Sequence, residues 1–348
     1  MASNQTQKAL VITEVGKPLI LVHDRPIPSP GPNQVLLKVT VAGINPHDGK
    51  AREYGLFVNG NLPAVITNDV VGVVTAVGEG VSDVAVGDRV VSQGNFDATF
   101  TQTGLQEYAL ADAVARAKIP ATITDDEAAT LPTNIIAPLV ALFDALKIPA
   151  PWSPAAKTFD YAGATLLVVG GGSNCGKFGV QLAKLAGIGH IVVVGGDEAE
   201  LKGYGATHVL DRHGGFDAVL ARIRDVVGDD LIYAYDPINP PDGQLLALAA
   251  LSSHKRGALA RLLPLGPVDE SKVTGKKAGF DVVNVFGSSQ KHPELAKEFW
   301  GRLPGWLETG KIRPLGYVVK QGLEPDAVNE VLDAYRDGKS VAKTHIHL

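Results

Sequence analysis

The stretch Leu166-Leu-Val-Val-Gly-Gly-Gly-Ser-Asn-Cys-Gly-Lys-Phe-Gly-Val-Gln-Leu-Ala-Lys184 constrains this chain more than any other. Leu166 to Val169 is an apolar run suited to a buried parallel strand. Gly170 to Gly172 make a tight turn, and Phe178, Val180, Leu182 and Leu185 follow on a broad helix-like spacing. Strand, glycine turn and helix together suit an anion: glycines let backbone N–H groups approach it, and the helix N-terminus adds partial positive charge. The spacing Gly171-x-Ser173-x-x-Gly176 is a variant of G-x-G-x-x-G with serine in the middle. A glycine-rich turn can also simply join a strand to a helix. Here another strand, His190 to Val194, follows, so the expectation is a dinucleotide held by Gly171, Gly172, Ser173, Asn174, Cys175 and Gly176.

The rest of the chain divides around that unit. Before it, strands are expected within Lys8–Val22 and at Gln34–Ala42, Val70–Val77 and Asp88–Val91, with a stiff connector at Pro26–Pro32. Strands without intervening helices read as a β-rich, partly closed domain. A helical stretch follows Asp125-Asp126-Glu127, a second helix is expected over Pro138–Leu146, and Ile148–Ala164 reads as a loop. From Thr165 strands at Leu166, Ile191, His208 and Leu231 alternate with helices near Lys177–Ala186, Phe216–Val227 and Gly243–Leu251, the rhythm of a doubly wound parallel sheet of Rossmann type. Val282–Phe286 is a late strand, and helices at Pro293–Thr309 and Pro325–Asp337 lead to Val341–His347, which alternates like an edge strand. The fold class expected is therefore α/β. Residues 136–289 form the dinucleotide-binding domain, inserted in a discontinuous β-rich domain of residues 1–135 and 290–348.

Composition narrows the class. With 348 residues, 45% hydrophobic and 20% charged, the chain has ample material for two globular domains. A formal net charge of -5 without a basic block argues against a nucleic acid or an anionic membrane as partner. The one cysteine, Cys175, leaves no intramolecular disulfide and no structural zinc set. The first residues lack a signal-peptide pattern, and no run of about 18 apolar residues without polar breaks is evident, so a cytoplasmic location is the expectation.

Several further segments carry a resemblance: Ala42-Gly-Ile-Asn-Pro-His-Asp48, Val86-Gly-Asp-Arg-Val-Val91, Gly170 to Lys184, Gly205-Ala-Thr-His-Val-Leu-Asp211 and Asp337-Gly-Lys-Ser-Val341. In order and spacing the chain resembles the medium-chain dehydrogenase/reductase superfamily, in particular its zinc-independent quinone oxidoreductase and enoyl reductase branch, including fungal enoyl reductases. The resemblance implies a partly open, GroES-like β-barrel catalytic domain beside the Rossmann domain. Zinc-dependent relatives carry cysteine where this chain has Asn45, and a His-Glu pair where it has Asn68-Asp69. Asparagine is a poor zinc ligand, and one acid without a thiolate makes no tetrahedral site. No metal is expected, and His345 and His347 are expected to be exposed strand residues.

Without a Lewis acid, an activated double bond is an easier substrate than an alcohol, because charge left on a conjugated oxygen can be held by hydrogen-bond donors. The resemblance puts Tyr54 in the place of the family's proton-donor tyrosine. Its phenol, protonated near neutral pH, could donate to carbon, with ordered water as the alternative and rim packing as the plain role. Asn45 offers donor and acceptor atoms, or else serves its own Asn-Pro-x-Asp turn; His47 is a weaker candidate. For the cofactor, the second strand ends at Gly195-Gly196, which leaves room for a 2′-phosphate, whereas Asp197-Glu198 would repel one if turned inwards. Arg212 is the favoured cation, with Lys177 and Lys202 as alternatives and Asp211 as a competing partner. Cys175 is expected to pack beneath the pyrophosphate rather than act as a nucleophile. Phe286, Gly287 and Ser288 follow the last strand, where the family's chain passes the nicotinamide. Ala137 stands where many relatives have a cofactor-touching threonine.

The resulting expectation is NADPH-dependent reduction of an enone, enal or quinone, with a small-molecule conjugated carbonyl as substrate. A trans-acting enoyl reductase of a polyketide pathway and a non-catalytic NADPH-binding protein are the alternatives. Monomer and homodimer both stay open, and the loop Phe57–Leu62 could accommodate many substrate shapes.

Overall fold

The computed structural model describes residues 5–58, 60–262 and 266–348; residues 1–4 and residue 59 of the Phe57–Leu62 loop thus lie outside the described residues. The chain folds as two compact units: Met1–Thr133 with Ser288–Gly310 and Pro314–Leu348, and Asn134–Gly287 with Lys311–Arg313.

The first unit begins with β1 (Thr6–Val11), β2 (Ile20–Pro26), β3 (Gln34–Ile44), α1 (Pro46–Tyr54), β4 (Asp69–Val77), β5 (Arg89–Gln93), β6 (Tyr108–Asp112), β7 (Arg116–Lys118) and α2 (Asp125–Ala129). Thr124 caps α2: its side chain accepts from Glu127 N–H at 3.1 Å, and the Glu127 carboxylate answers on Thr124 N–H at 2.8 Å. Then follow α3 (Pro132–Val140), β8 (Thr165–Val169), α4 (Asn174–Ala186), β9 (His190–Val194), α5 (Glu198–Tyr204), β10 (His208–Leu210), α6 (Phe216–Val227), β11 (Tyr233–Asp236), α7 (Pro241–Ala250), β12 (Gly257–Arg261) and β13 (Phe280–Asn284). The first unit resumes with α8 (Pro293–Glu308), β14 (Val318–Gln321), α9 (Pro325–Arg336) and β15 (Thr344–His347).

In the first unit β3 is the hub. Its alternate residues Val35, Leu37 and Val39 turn inwards against Val70, Val74 and Val90. The sheet runs β14-β15-β3-β4-β5-β7, with β6 also paired to β3, and this path does not close on itself: the barrel is partly open. In the second unit all six strands are parallel, in the order β10-β9-β8-β11-β12-β13. The order reverses between β8 and β11, and in such sheets the crevice beyond the carboxyl ends at that point takes the ligand. Leu167, Val169, Val192, Val194 and Leu259 bury the sheet face against Val219, Ile223 and Leu248 from the helices.

The structure corrects several expectations. The second helix begins at Pro132, not Pro138, because Ile135 and Ile136 are fully buried and that burial carries the helix through Pro138. It ends in a π turn, Ala141–Ala145, where Leu146 N–H donates to Ala141 C=O at 2.9 Å. The helical run Asp125–Ala145, though broken by Thr130, Thr133, Asn134 and Asp144, is long and apolar enough to cross a membrane by length and composition. Its apolar window is 83% buried inside the protein, which is what a core helix requires. The late strand lies at Phe280–Asn284, two residues earlier than expected. α5 and β12, which were not anticipated, complete the second unit.

The largest correction concerns the tail. β15 is no edge strand: it pairs with β14 on one side and β3 on the other. His345 is consequently fully buried, stacked on Tyr317 with ring centroids 4.9 Å apart. His345 Nδ1 lies 3.0 Å from Asp126 Oδ1, and His347 Nε2 reaches the same carboxylate at 2.9 Å. The carboxylate fixes the tautomer with the proton on Nδ1, so Nε2 is a buried nitrogen with no hydrogen-bond partner. Burial pushes this imidazole down from 6.5 to about 4; the Lys343 charge acts the same way, while Asp126 and more weakly Asp69 oppose. The folded protein thus holds His345 neutral where the unfolded chain would protonate it. Stability is fully present above about pH 6.5 and is lost as pH falls toward about 4, a cost of roughly 3 kcal/mol. Between about pH 7 and pH 4.5, urea unfolding is expected to lose about 2 kcal/mol more in the native chain than in His345→Gln. Equal losses in the two would contradict this reading of the buried imidazole.

Candidate functional site

β8 runs into Gly170 at φ 102°, and the N–H groups of Gly170 and Gly171 both donate to Val194 C=O, at 3.0 and 3.2 Å. A Cβ on Gly171 would stand 2.1 Å from Val193 Cγ1 and 2.8 Å from Gly195 O, so no side chain fits there. The same holds at Gly176, 2.5 Å from Gly170 O. Gly172 and Gly196 face each other, a Cβ on Gly196 falling 2.8 Å from Gly172 N. Two glycine turns, one after β8 and one after β9, are thereby in backbone contact. Ser173 caps α4: its hydroxyl accepts from Gly176 N–H at 3.0 Å and donates to Gly170 C=O at 2.9 Å. Asn174 opens the thirteen-residue helix, and Cys175 Sγ lies 3.8 Å from Asn134 Oδ1. A cradle that a single Cβ would fill, at the amino end of a long helix, fits a dinucleotide pyrophosphate.

The polar groups beyond β9 are now distinguishable. Arg212 lies along Gly195, its Cδ 3.2 Å from where a Cβ would stand. Asp211 instead serves His213, accepting from its backbone N–H at 3.1 Å and meeting its Nδ1 at 2.6 Å. Lys177 is paired with Glu200 at 2.8 Å and Lys202 with Glu198 at 2.7 Å. Among the described residues, Arg212 makes no ion pair with a carboxylate. Asp197, the acid feared as a repellent, caps α5 by accepting from Glu200 N–H at 2.8 Å. That capping role was readable from Asp197-x-x-Glu200 and was missed because the helix is only seven residues long.

Phe286 is 46% exposed at the end of the second unit. Gly287 packs against α3, where a Cβ would lie 2.5 Å from Ala137 Cα; the close approach its glycine permits is to that helix. Ser288, already in the first unit, is buried and its hydroxyl donates to Gln290 Oε1 at 3.3 Å.

In the first unit Asn45 sits in a buried polar network. Its Nδ2 donates to Asp69 Oδ2 at 2.8 Å, its Oδ1 accepts from Lys343 Nζ at 3.0 Å, and its N–H donates to Asp48 Oδ2 at 2.7 Å. Lys343 Nζ also bonds Asp69 Oδ2, and Asp69 Oδ1 accepts from Thr133 N–H at 2.7 Å. Burial alone would push the Asp69 carboxyl up, but the Lys343 charge and hydrogen bond, with Asn45 and Thr133, hold it below its ordinary value. Burial wins at Asp48, whose carboxyl is pushed up. Asn68 Nδ2 donates to Gly94 C=O at 2.7 Å, which leaves its Oδ1 to meet His47 Nε2 at 2.9 Å. Among the described residues, no group of three His, Cys, Asp or Glu side chains is placed to hold a metal ion. Tyr54 ends α1 just before Gly55 at φ 71° and is 72% exposed. Beside it in sequence, Phe57 stacks on Phe96 at 5.3 Å, with His47 edge-on to Phe96 at 6.0 Å.

Lys343 was missed in the sequence; its only signal was a lone lysine within an apolar-alternating run. Removing it strands a buried carboxylate, so Lys343→Met is expected to cost about 3–5 kcal/mol in urea unfolding. Adding Asp69→Asn to that variant should recover part of the loss; a single variant within about 1 kcal/mol of the native chain would contradict the assignment.

The alcohol dehydrogenase GroES-like domain matches residues 31–121. A trans-enoyl reductase of Gibberella fujikuroi is 29% identical over 300 residues, 84% of this chain and 86% of that protein. A trans-enoyl reductase of Aspergillus sclerotiorum is 30% identical over 339 residues, 90% of this chain and 92% of that protein. Among solved structures, a mycobacterial quinone oxidoreductase superposes with a TM-score of 0.71 at 25% identity, covering 98% of this chain and 100% of that one. A mycobacterial protein complexed with NADPH gives 0.74 at 24% identity with the same coverage, a likeness of fold. Fold and relatives define an oxidoreductase that acts on a small molecule. The chain belongs to the medium-chain dehydrogenase/reductase superfamily, in its enoyl and quinone reductase branch.

Proposed function

We propose that this chain reduces a carbon–carbon double bond conjugated to a carbonyl, using NADPH and no metal. The observation that carries the cofactor choice is Arg212 lying along Gly195 with, among the described residues, no carboxylate paired to it, while Asp197 and Glu198 are engaged in a helix cap and an ion pair. A guanidinium there offers a fork for a 2′-phosphate. Lys343 supports the metal-free reading: an ammonium already bonds Asn45 and Asp69, two of the positions that hold zinc in metal-dependent relatives. The names of the two fungal relatives favour an enoyl group over a free quinone.

Held by the glycine cradle, a nicotinamide cofactor would supply the hydride for the electrophilic carbon of the conjugated system. The chain's own part is to hold and to protonate. The glycine turns and the amino end of α4 would hold the pyrophosphate, and Ser173 keeps the turn in register. Tyr54, exposed and free to present its phenol, supplies the proton that completes reduction.

Steady-state kinetics with an enone and an enoyl thioester test this reading. NADPH is expected to exceed NADH by about tenfold or more in kcat/KM, and Arg212→Ala should remove that margin by weakening NADPH alone. Tyr54→Phe should lower kcat by about a hundredfold with the nucleotide affinity unchanged. Equal use of the two nucleotides would overturn the cofactor assignment. Undiminished turnover in Tyr54→Phe would hand the proton to water.

A further inference from the structure

The first unit contains a second feature, outside the Asn45 network. A cavity of about 830 Å³ lies between the end of β2, the Gly60–Pro63 turn and the segment Ala98–Thr101. Its volume is that of a small-molecule site. Pro26, Ile27, Pro28, Leu62 and Pro63 give it apolar walls that the prolines make stiff. Arg25 is the charged residue in this lining.

The guanidinium is held from behind. Its Nε donates to Gln106 Oε1 at 2.8 Å, and its Nη2 donates to Phe100 C=O at 3.3 Å and to Thr99 C=O. Gln106 is itself fully buried and fixed, its Nε2 donating to Phe100 C=O at 2.9 Å and Thr103 C=O at 2.8 Å. Every acceptor of Arg25 is therefore neutral. The nearby acid, Asp97, spends its oxygens on Thr99 N–H and Oγ1, both at 2.8 Å, and on Thr101 Oγ1 at 3.1 Å. Among the described residues Arg25 makes no ion pair, and its Nη1 makes no hydrogen bond. Burial pushes its pKa down, with Asp97 only partly offsetting this. An arginine remains charged under that pressure, and a half-buried cation among neutral acceptors favours an anion.

We propose that this cavity binds a small organic carboxylate with an apolar body, the carboxylate on Arg25 and the body along Pro26, Ile27, Pro28 and Leu62. A carboxylate adds the charge-assisted bond that the neutral acceptors cannot give, and the stiff walls lose little entropy on binding. The Arg25 bonds involve no residue of the glycine cradle and none of the Asn45 network.

Isothermal titration of the full chain with decanoate, and with decan-1-ol as the neutral counterpart, tests it. Saturable one-to-one binding of decanoate is expected, at least about tenfold tighter than the alcohol. Arg25→Gln should erase that preference. Because Arg25 also anchors the 98–101 segment, Ser29→Trp provides a second variant: Ser29 is an exposed wall residue that makes none of the Arg25 bonds, and the indole would fill the cavity. It should abolish decanoate binding while enone reduction continues. Absence of saturable decanoate binding, equal affinity for acid and alcohol, or undiminished binding in Ser29→Trp would each overturn the proposal.

Discussion

The bond between Lys343 and Asp69 is the constraint on which the first unit depends. Lys343 enters just before β15, Asp69 begins β4, and Asn45, bound to both, lies at the turn between β3 and α1. A buried ammonium and a buried carboxylate are each costly alone, so each fixes the other's place. Four chain segments distant in sequence are drawn to one point, with Thr133 N–H at the start of α3 completing the set. The position of Asn45 then sets where α1 begins, and the length of α1 sets where Tyr54 emerges. The tail strand is thus integral to the geometry of the candidate chemistry.

The second unit solves a different problem, the absence of side chains. Gly171, Gly172, Gly176 and Gly196 bring two turns and a helix end within backbone contact, and Gly170, Gly195 and Gly196 adopt positive φ. What results is a backbone turn at the amino end of α4 that brings no negative side chain of its own. The charge chemistry is delegated to the periphery, where Asp197, Glu198 and Asp211 have other partners and, among the described residues, Arg212 pairs with no carboxylate.

Much of this was legible in the residues, for definable reasons. The βαβ rhythm was readable because a parallel strand buried on both faces, such as Leu166–Val169, carries an unbroken apolar run that turn glycines delimit. The glycine cradle was readable because its chemistry tolerates few substitutes. The tail was misread because the alternation of Val341–His347 reports two faces but not what covers them; β14, which covers the outer edge, is short and half polar. His345 therefore seemed exposed and is fully buried. The α3 boundary was misplaced because Pro138 is a strong local signal that burial of Ile135 and Ile136 outweighs. For Arg212 the position could be read but not its freedom, since partnership with Asp211, His213 or a ligand is decided by turn geometry. Lys343 and Asp69 lie far apart in sequence, and no local pattern links such a pair.

The central claim, that hydride is delivered to carbon of a conjugated double bond, is tested most directly by following an isotope. Turnover of an enoyl thioester with NADPH deuterated at the transferred position, analysed by NMR of the product, locates the label. The account predicts deuterium on the β-carbon and a solvent-derived hydrogen on the α-carbon. Deuterium at the carbonyl carbon, with the double bond intact, would contradict it.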